Sequence, residues 1–471
     1  MPGWGAADMQ AAVEIEGNLL NSGINGVLLR NCSMASGETA ASQNYIQNFR
    51  KNRKVLFKNF EEKEIRAAFK SRMEDSLYAI TDSEDGDYFD IWIKIQGNLE
   101  PYKPFKEPIK KVHDEIRFSC DYAKINIFHG MDCILVCAFG VLIAFSEYDY
   151  KMEIIDTNGI SKGKYITGIC AFANRMVATF KNEDEYLYSG IAQPNFDMAN
   201  GAGFMYSEYG NDMTQAVKRT GSRLAVFTTR TIEIKDLSQD PQMPFQGYLY
   251  QNNYDIGAII ETIREIDGVL YFVGEAMSGN RFICSLSDGV LEKLTNEAQS
   301  KLLEGKFSKS GVLYENGRVF YLAYGQHNFS IDVLSRSLFE VENDLIFLDY
   351  LKMGSFILRA CESGFYSVEP GSDPYVAGKI RLPKYDFGSA ANIRKISFVG
   401  EFLESSKAVA TLTAERGFAQ KTESHKRGFD FFLLGLQKLN DLEFSVSSNF
   451  RMTKIVIDYQ RLENGSFYGV G

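Results

Sequence analysis

Long apolar runs are missing from this chain of 471 residues. No stretch of about 18 consecutive apolar residues occurs, and the first residues lack a basic segment followed by an apolar core. The expectation is therefore a protein that neither spans a membrane nor carries an evident export signal. Disulfide chemistry is unpromising too. The seven cysteines, Cys32, Cys120, Cys133, Cys137, Cys170, Cys284 and Cys361, are odd in number and lie mostly inside apolar strand-like runs. They read as reduced core residues of a chain made in a reducing compartment. Cys133 and Cys137 fall on one face of a strand, but no second pair or nearby histidine completes a metal site. Histidine is scarce, with His113, His129, His327 and His425 scattered and unpartnered, and no Gly-x-Ser-x-Gly elbow appears. No catalytic, cofactor-binding or metal-ligating residue is assigned, no cofactor is expected, and the chain is expected not to be an enzyme. Positive charge is also in deficit: Lys and Arg number 51 against 61 Asp and Glu, a net charge of −10. That excludes a general DNA binder, whose affinity comes from Lys and Arg displacing counterions.

What is present is a repeat. Turns built on Gly or Asn recur at Gly130, Asn174, Gly221, Gly268, Gly317 and Gly354, at intervals of 44, 47, 47, 49 and 37 residues. Each is flanked by short runs that alternate apolar and polar residues, such as ITGICAF and ANRMVATF, or SRLAVFTT and TIEIKDL. Asp267-Gly268 and Asn316-Gly317 suit tight hairpins because both central positions tolerate positive φ. A repeat of about 40 to 50 residues holding several short strands is the signature of a β-propeller. The spacing predicts a mainly β protein with a six-bladed β-propeller over 116–372, its first blade, near 124–149, the least regular. The 13% aromatic content suits cross-strand packing.

Two regions flank the repeat. Past the turn-rich EPGSDP at 369–374, a new series of alternating strands predicts a C-terminal antiparallel β-sandwich over 378–461, followed by a tail at 462–471. Residues 1–115 predict an irregular N-terminal region with one helix at 59–73, where Ile65, Phe69 and Met73 form a stripe behind an acidic first turn. Just before it, Arg50, Lys51, Arg53, Lys54 and Lys58 make a basic cluster that is either a solvated loop or a dock for an acidic neighbour. GISKGK at 159–164 has one residue too few for a phosphate loop, and DSEDGD at 82–87 has its Gly one place early for a calcium loop. Both read as ordinary turns.

EYLYSGIAQPNFD at 185–197 and GSRLAVFTTRTIEI at 221–234 resemble two neighbouring blades of the tail hub, or nozzle, proteins of short-tailed bacteriophages. The resemblance rests on Tyr188, Ser189, Pro194 and Phe196, then on Arg223, Leu224, Val226, Phe227, Ile232 and Glu233. It implies a structural virion protein of the phage tail, assembled in the host cytoplasm. Six copies would form a homo-hexameric ring beneath the portal and adaptor, contact tail fibres or a needle, retain packaged DNA and conduct it during ejection. An acidic surface suits DNA that slides past without sequence-specific binding, because repulsion acts within a screening length of about 8 Å. The long polar connections 192–213 and 235–256 are the expected gate loops. The alternative is a propeller-based carbohydrate-binding module or glycan-processing enzyme with its ligand in the central depression. A peptide-binding scaffold is disfavoured by the absence of Trp-Asp and Gly-His signatures.

Overall fold

The computed structural model describes residues 53–71, 75–97, 100–124, 132–157, 164–208, 212–240, 253–266 and 268–300, with shorter segments elsewhere between residues 8 and 461. The chain is mainly β. Among the described residues, helix is confined to one turn at Glu297–Ser300 and to three-residue 3-10 turns.

The repeated element is an antiparallel meander of four short strands, and the described residues hold seven of them. Unit one comprises Ile65–Lys70, Ser76–Asp82, Tyr88–Ile95 and Ile109–Lys110. Unit two runs from Ser119–Lys124 to Met152–Ile154, unit three from Ile166–Phe172 to Gly203–Tyr206, and unit four from Thr214–Thr220 to Phe245–Gly247. In unit five the first strand is split into Ile256–Ala258 and Arg264–Ile266, both paired to Val269–Ala276, and the unit ends at Val290–Lys293. Unit six runs from Lys309–Ser310 to Ser337–Val341. Unit seven holds Phe347–Met353, Phe356–Cys361 and Gly364–Val368, and its fourth strand is Arg53–Val55 from the other end of the chain.

Strand periodicity explains why these units stack. Side chains alternate between the two faces of a strand, and here both faces are apolar. In DCILVCA, Ile134, Val136 and Ala138 pack into a core shared with unit one, while Cys133, Leu135 and Cys137 pack into a core shared with unit three. Further shared cores join units three and four, four and five, and five and six. Unit seven packs on unit one through Phe60, Ile65, Leu77, Leu351, Leu358 and Phe365. The last unit therefore neighbours the first. Each fully buried Leu, Ile or Phe stabilises by about 1.5–3 kcal/mol relative to exposure.

Both chain ends join two further sheets. Asp8–Glu14 and Tyr45–Asn48 pair with the long strand Phe450–Arg461, which also pairs with Ala391–Phe402. Leu28–Arg30 pairs in parallel with the last strand of unit six and antiparallel with Gly378–Leu382, so unit six and the C-terminal strands belong to one sheet of eight.

Three expectations are corrected. The region 1–115 is not irregular: 65–110 is a complete four-stranded unit, and with it the described units number seven rather than six. The helix over 59–73 does not form; a 3-10 turn at Lys58–Phe60 precedes the strand Ile65–Lys70, and Met73 lies outside the described residues. The cause is a bulge between Ile65 and Ala67. The extra residue shifts the alternation, so Ile65 and Ala68 face unit seven while Ala67 and Phe69 face unit two. Spacings of three and four residues then imitate a helical stripe. The same bulge recurs near the start of the first strand in units three, four and seven, after Ile166, Thr214 and Phe347.

Leu135 is wholly buried between units two and three. Leu135→Ala should cost about 2–5 kcal/mol in urea unfolding, whereas Leu56→Ala, at a side chain 72% exposed, should change stability by less than about 0.5 kcal/mol.

Candidate functional site

Polar side chains on the first strands meet where the units converge. First strands of consecutive units run beside one another, unit two by three, three by four, and seven by one. Groups from units that are not neighbours nevertheless reach each other, which only the centre of a ring allows. Arg117, just before unit two, forms an ion pair with Glu261 in the 3-10 turn that splits the first strand of unit five. Lys218 of unit four donates to Ser119 Oγ at 2.9 Å and to the Cys120 carbonyl at 3.4 Å, both in unit two. The Tyr122 hydroxyl donates to the Lys70 carbonyl of unit one, and the Lys70 ammonium stands 3.1 Å from the Tyr350 ring centroid of unit seven.

Desolvation dominates this centre. It raises the Asp349 carboxyl above the usual carboxylate range, partly offset by Lys70, the Tyr350 N–H and Arg264. It lowers Arg264, partly offset by Asp349. The Cys120 thiol is pushed up to about 12 by burial, against Lys218. Cys137 is likewise raised to about 12. Thiols so raised stay protonated at neutral pH and are not poised as nucleophiles. Cys133 and Cys137 do share a face, as their spacing suggests, and their Sγ atoms donate to the Ala123 and Ile166 carbonyls. Among the described residues no group of three or more His, Cys, Asp or Glu is arranged to hold a metal ion.

Lys70, Asp121, Lys218, Arg264 and Asp349 come from five units, and no motif in the sequence links them. Their strands carry other polar residues as well, such as Arg66 with Lys70, Arg219 with Lys218 and Lys352 with Asp349, so none of the five stands out. Even with the bulges in register they fall at different places: Asp349 directly follows its bulge, whereas Lys218 and Lys70 lie further along their strands.

The residues that carry the phage-protein resemblance act as anchors around units three and four. Tyr188 packs over Gly203, where an added Cβ would fall 2.4 Å from the Tyr188 hydroxyl. The Ser189 hydroxyl accepts from Met176 N at 2.9 Å, and Phe196 is wholly buried between units two and three. Glu233, also wholly buried, accepts from Ser207 Oγ at 2.6 Å and from Glu208 N at 2.8 Å, and pairs with Lys235 at 2.9 Å. Asp212 accepts from Thr229 Oγ1 at 2.5 Å, Thr231 Oγ1 at 3.0 Å and Arg230 N at 3.1 Å, and from the Thr228 hydroxyl. The stretch 192–213 is thus no open loop. It carries the fourth strand of unit three, Gly203–Tyr206, and is tied at Ser207, Glu208 and Asp212 to unit four. In 235–256 the strands Phe245–Gly247 and Asn253–Tyr254 also pair with unit four, and 248–252 lies outside the described residues.

The two metal- and phosphate-like stretches are engaged otherwise. In 82–87 the Lys111 ammonium donates to Asp82 Oδ1 and to the Gly86 carbonyl, each at 2.7 Å, and so occupies the turn's oxygens. Lys164 pairs with Glu183 and Glu185.

No protein-family model matches this chain, and no curated protein does. Among solved structures it is similar to a puromycin-hydrolysing peptidase of Mycobacterium tuberculosis, at 10% identity and a TM-score of 0.42, over 68% of this chain and 58% of that one. It is also similar to a puromycin hydrolase (10%, 0.41, 76% and 57%) and to the dihydro-heme d1 dehydrogenase NirN (10%, 0.38, 81% and 79%). The chain spans little more than half the length of the two hydrolases. At these scores the likeness carries no argument about activity here. The expectation that the chain is not an enzyme does not stand. Hydrolases stand among its neighbours, and catalytic groups brought together from separate units leave no linear motif, so the missing motifs do not exclude catalysis.

Asp212→Ala strands several buried hydroxyls and should cost about 2–4 kcal/mol, measured by urea unfolding. For Asp349 the sign is set by the raised folded pKa. Its contribution is most favourable below the unfolded value and is lost as pH rises through the folded one. Asp349→Asn should therefore gain thermal stability over the wild type as pH rises from about 3 to 7, in paired melting curves.

Proposed function

We propose that the chain is a structural virion protein of a short-tailed phage tail, a hub or nozzle subunit. The observation that carries the reading is the plan of the molecule, together with the part its resemblance residues play in it. Repeated units with the last beside the first give a stiff disc with little free strand edge, and strands from both chain ends form two sheets, one of them continuous with unit six. In this reading the seven units form a seven-bladed propeller, and the two terminal sheets form a sandwich that serves as platform. Tyr188, Ser189, Phe196 and Glu233 hold the rim of units three and four in shape.

Ties across the centre also bear on where DNA would pass. Arg117–Glu261 and Lys218–Ser119 bridge units two and five and units four and two. A conduit for a duplex then lies between copies in a homo-hexameric ring, lined by the outside of the discs. The net charge of −10 keeps DNA from sticking there. Portal or adaptor proteins above and fibres or a needle at the side or tip are the partners of such a subunit, in the virion tail.

The central convergence of Lys70, Asp121, Lys218, Arg264 and Asp349 favours a second reading, a small polar ligand such as a sugar held in the central depression. The two readings separate in one experiment. Electron cryo-microscopy of the particle that carries this chain should show six copies on the portal axis around a DNA-wide channel. Copies absent from the tail, with a small ligand in the centre of an isolated disc, would reverse the choice.

A further inference from the structure

An apolar, acid-rimmed gap opens between the outer strands of units two and three. Phe204 lies opposite Leu187 and Tyr206 opposite Glu185, and Leu187 belongs to the core shared with unit two, so both rings face that gap. Glu153 lies opposite Ala144, which belongs to the same core, so it faces the gap from the other side. Toward the rim the units diverge, leaving Phe204 45% and Tyr206 52% exposed, edge to face with centroids 5.6 Å apart. Glu185 lies opposite Tyr206, and it and Glu183 share Lys164; with Glu153, the carboxylates placed here outnumber that lysine. Two large exposed aromatic rings within a net negative rim suit a partner that is apolar at its tip and basic around it.

The outer strand of unit seven has that chemistry. Arg53 and Lys54 are exposed on Arg53–Val55, and among the described residues no further strand pairs with it. Leu56, 72% exposed, follows it, then the exposed Lys58; the acidic pair Glu61 and Glu62 lies past the buried Phe60. This is the described part of the basic cluster seen in the sequence. Two such edges repel each other, as basic edge strands do, so like-to-like pairing is disfavoured and pairing with a different, acidic surface is favoured. Unit one separates the edge from the gap on one side, and units four to six on the other. A single copy can therefore offer its edge and accept another's at once. Such a head-to-tail contact closes into a ring when its rotation allows.

We propose that the gap between units two and three receives the unit-seven edge of a second copy of this chain, with Leu56 against Phe204 and Tyr206 and with Arg53, Lys54 and Lys58 facing the acidic rim. The inference rests on the ring assembly proposed above and names its contact.

The test uses the full chain. Leu56→Cys together with Phe204→Cys should give an intersubunit disulfide on mild oxidation, seen on non-reducing gels, while neither single variant does. In sedimentation velocity, Lys54→Glu and Glu153→Lys should each weaken self-association at least tenfold. The double reversal should recover most of the loss, with thermal melting unchanged because both side chains are exposed. Absence of the cross-link, or charge reversals that leave association unaltered, would overturn the contact even if rings form, and the hub reading would then stand without it. A wild type that stays monomeric at high concentration overturns the contact as well. Cross-linked rings that never appear in phage tails would sink the hub reading and leave the contact in place.

Discussion

The fully described four-stranded units are apolar on both faces, and the rest of the structure follows from having to cover them. A row of such sheets would always leave two faces against water. Placing the seventh unit against the first removes that deficit, because Phe60, Ile65 and Leu77 meet Leu351, Leu358 and Phe365. Unit two shows the constraint most clearly, with alternate residues of one strand serving two different cores. Close packing of that kind leaves little freedom for one unit to move without its neighbours.

Polar groups inside this molecule are tied to named partners. Glu233 and Asp212 accept from backbone and hydroxyl groups around the connection between units three and four, and Lys235 pairs with the carboxylates of Glu208 and Glu233. The centre differs in kind. There Lys70, Arg264 and Asp349 come from separate units; desolvation raises Asp349 and lowers Arg264, and the charges of Lys70 and Arg264 partly offset the rise at Asp349. The molecule thus has a rim held by local anchors and a centre held by long-range charge.

Much of this was legible in the sequence, and the misses have physical causes. Alternation along SRLAVFTT or TIEIKDL announced strands because nothing interrupts the period of two, and hairpin turns at Asn174, Gly221 and Gly268 take the positive φ their residue types allow. Unit one escaped notice because its bulge turns Ile65, Ala68 and Phe69 into a pattern a helix would share. Unit seven looked complete because its missing strand, Arg53–Val55, is far away in the chain, where a basic cluster gave no sign of pairing. The central cluster was hidden since its members are scattered among other polar residues of their strands, and the meaning of each depends on partners far away in the chain, Ser119 for Lys218 and Asp349 for Arg264. Glu233 was noticed for its place in a family pattern; its burial gives the physical reason a carboxylate belongs there.

The borrowed fourth strand of unit seven also sets an order in time. Val55 pairs with Phe365, about three hundred residues later. A ribosome delivers the first partner long before the second, so the early strand must wait unpaired while six units are made. Local meanders can settle as they emerge, but the ring cannot shut until nearly the whole chain is out. Such late, non-local pairing is slow and leaves a strand edge open in the interim. Arg53 and Lys54 give that waiting edge a positive charge, which keeps nascent chains apart until their own last unit arrives.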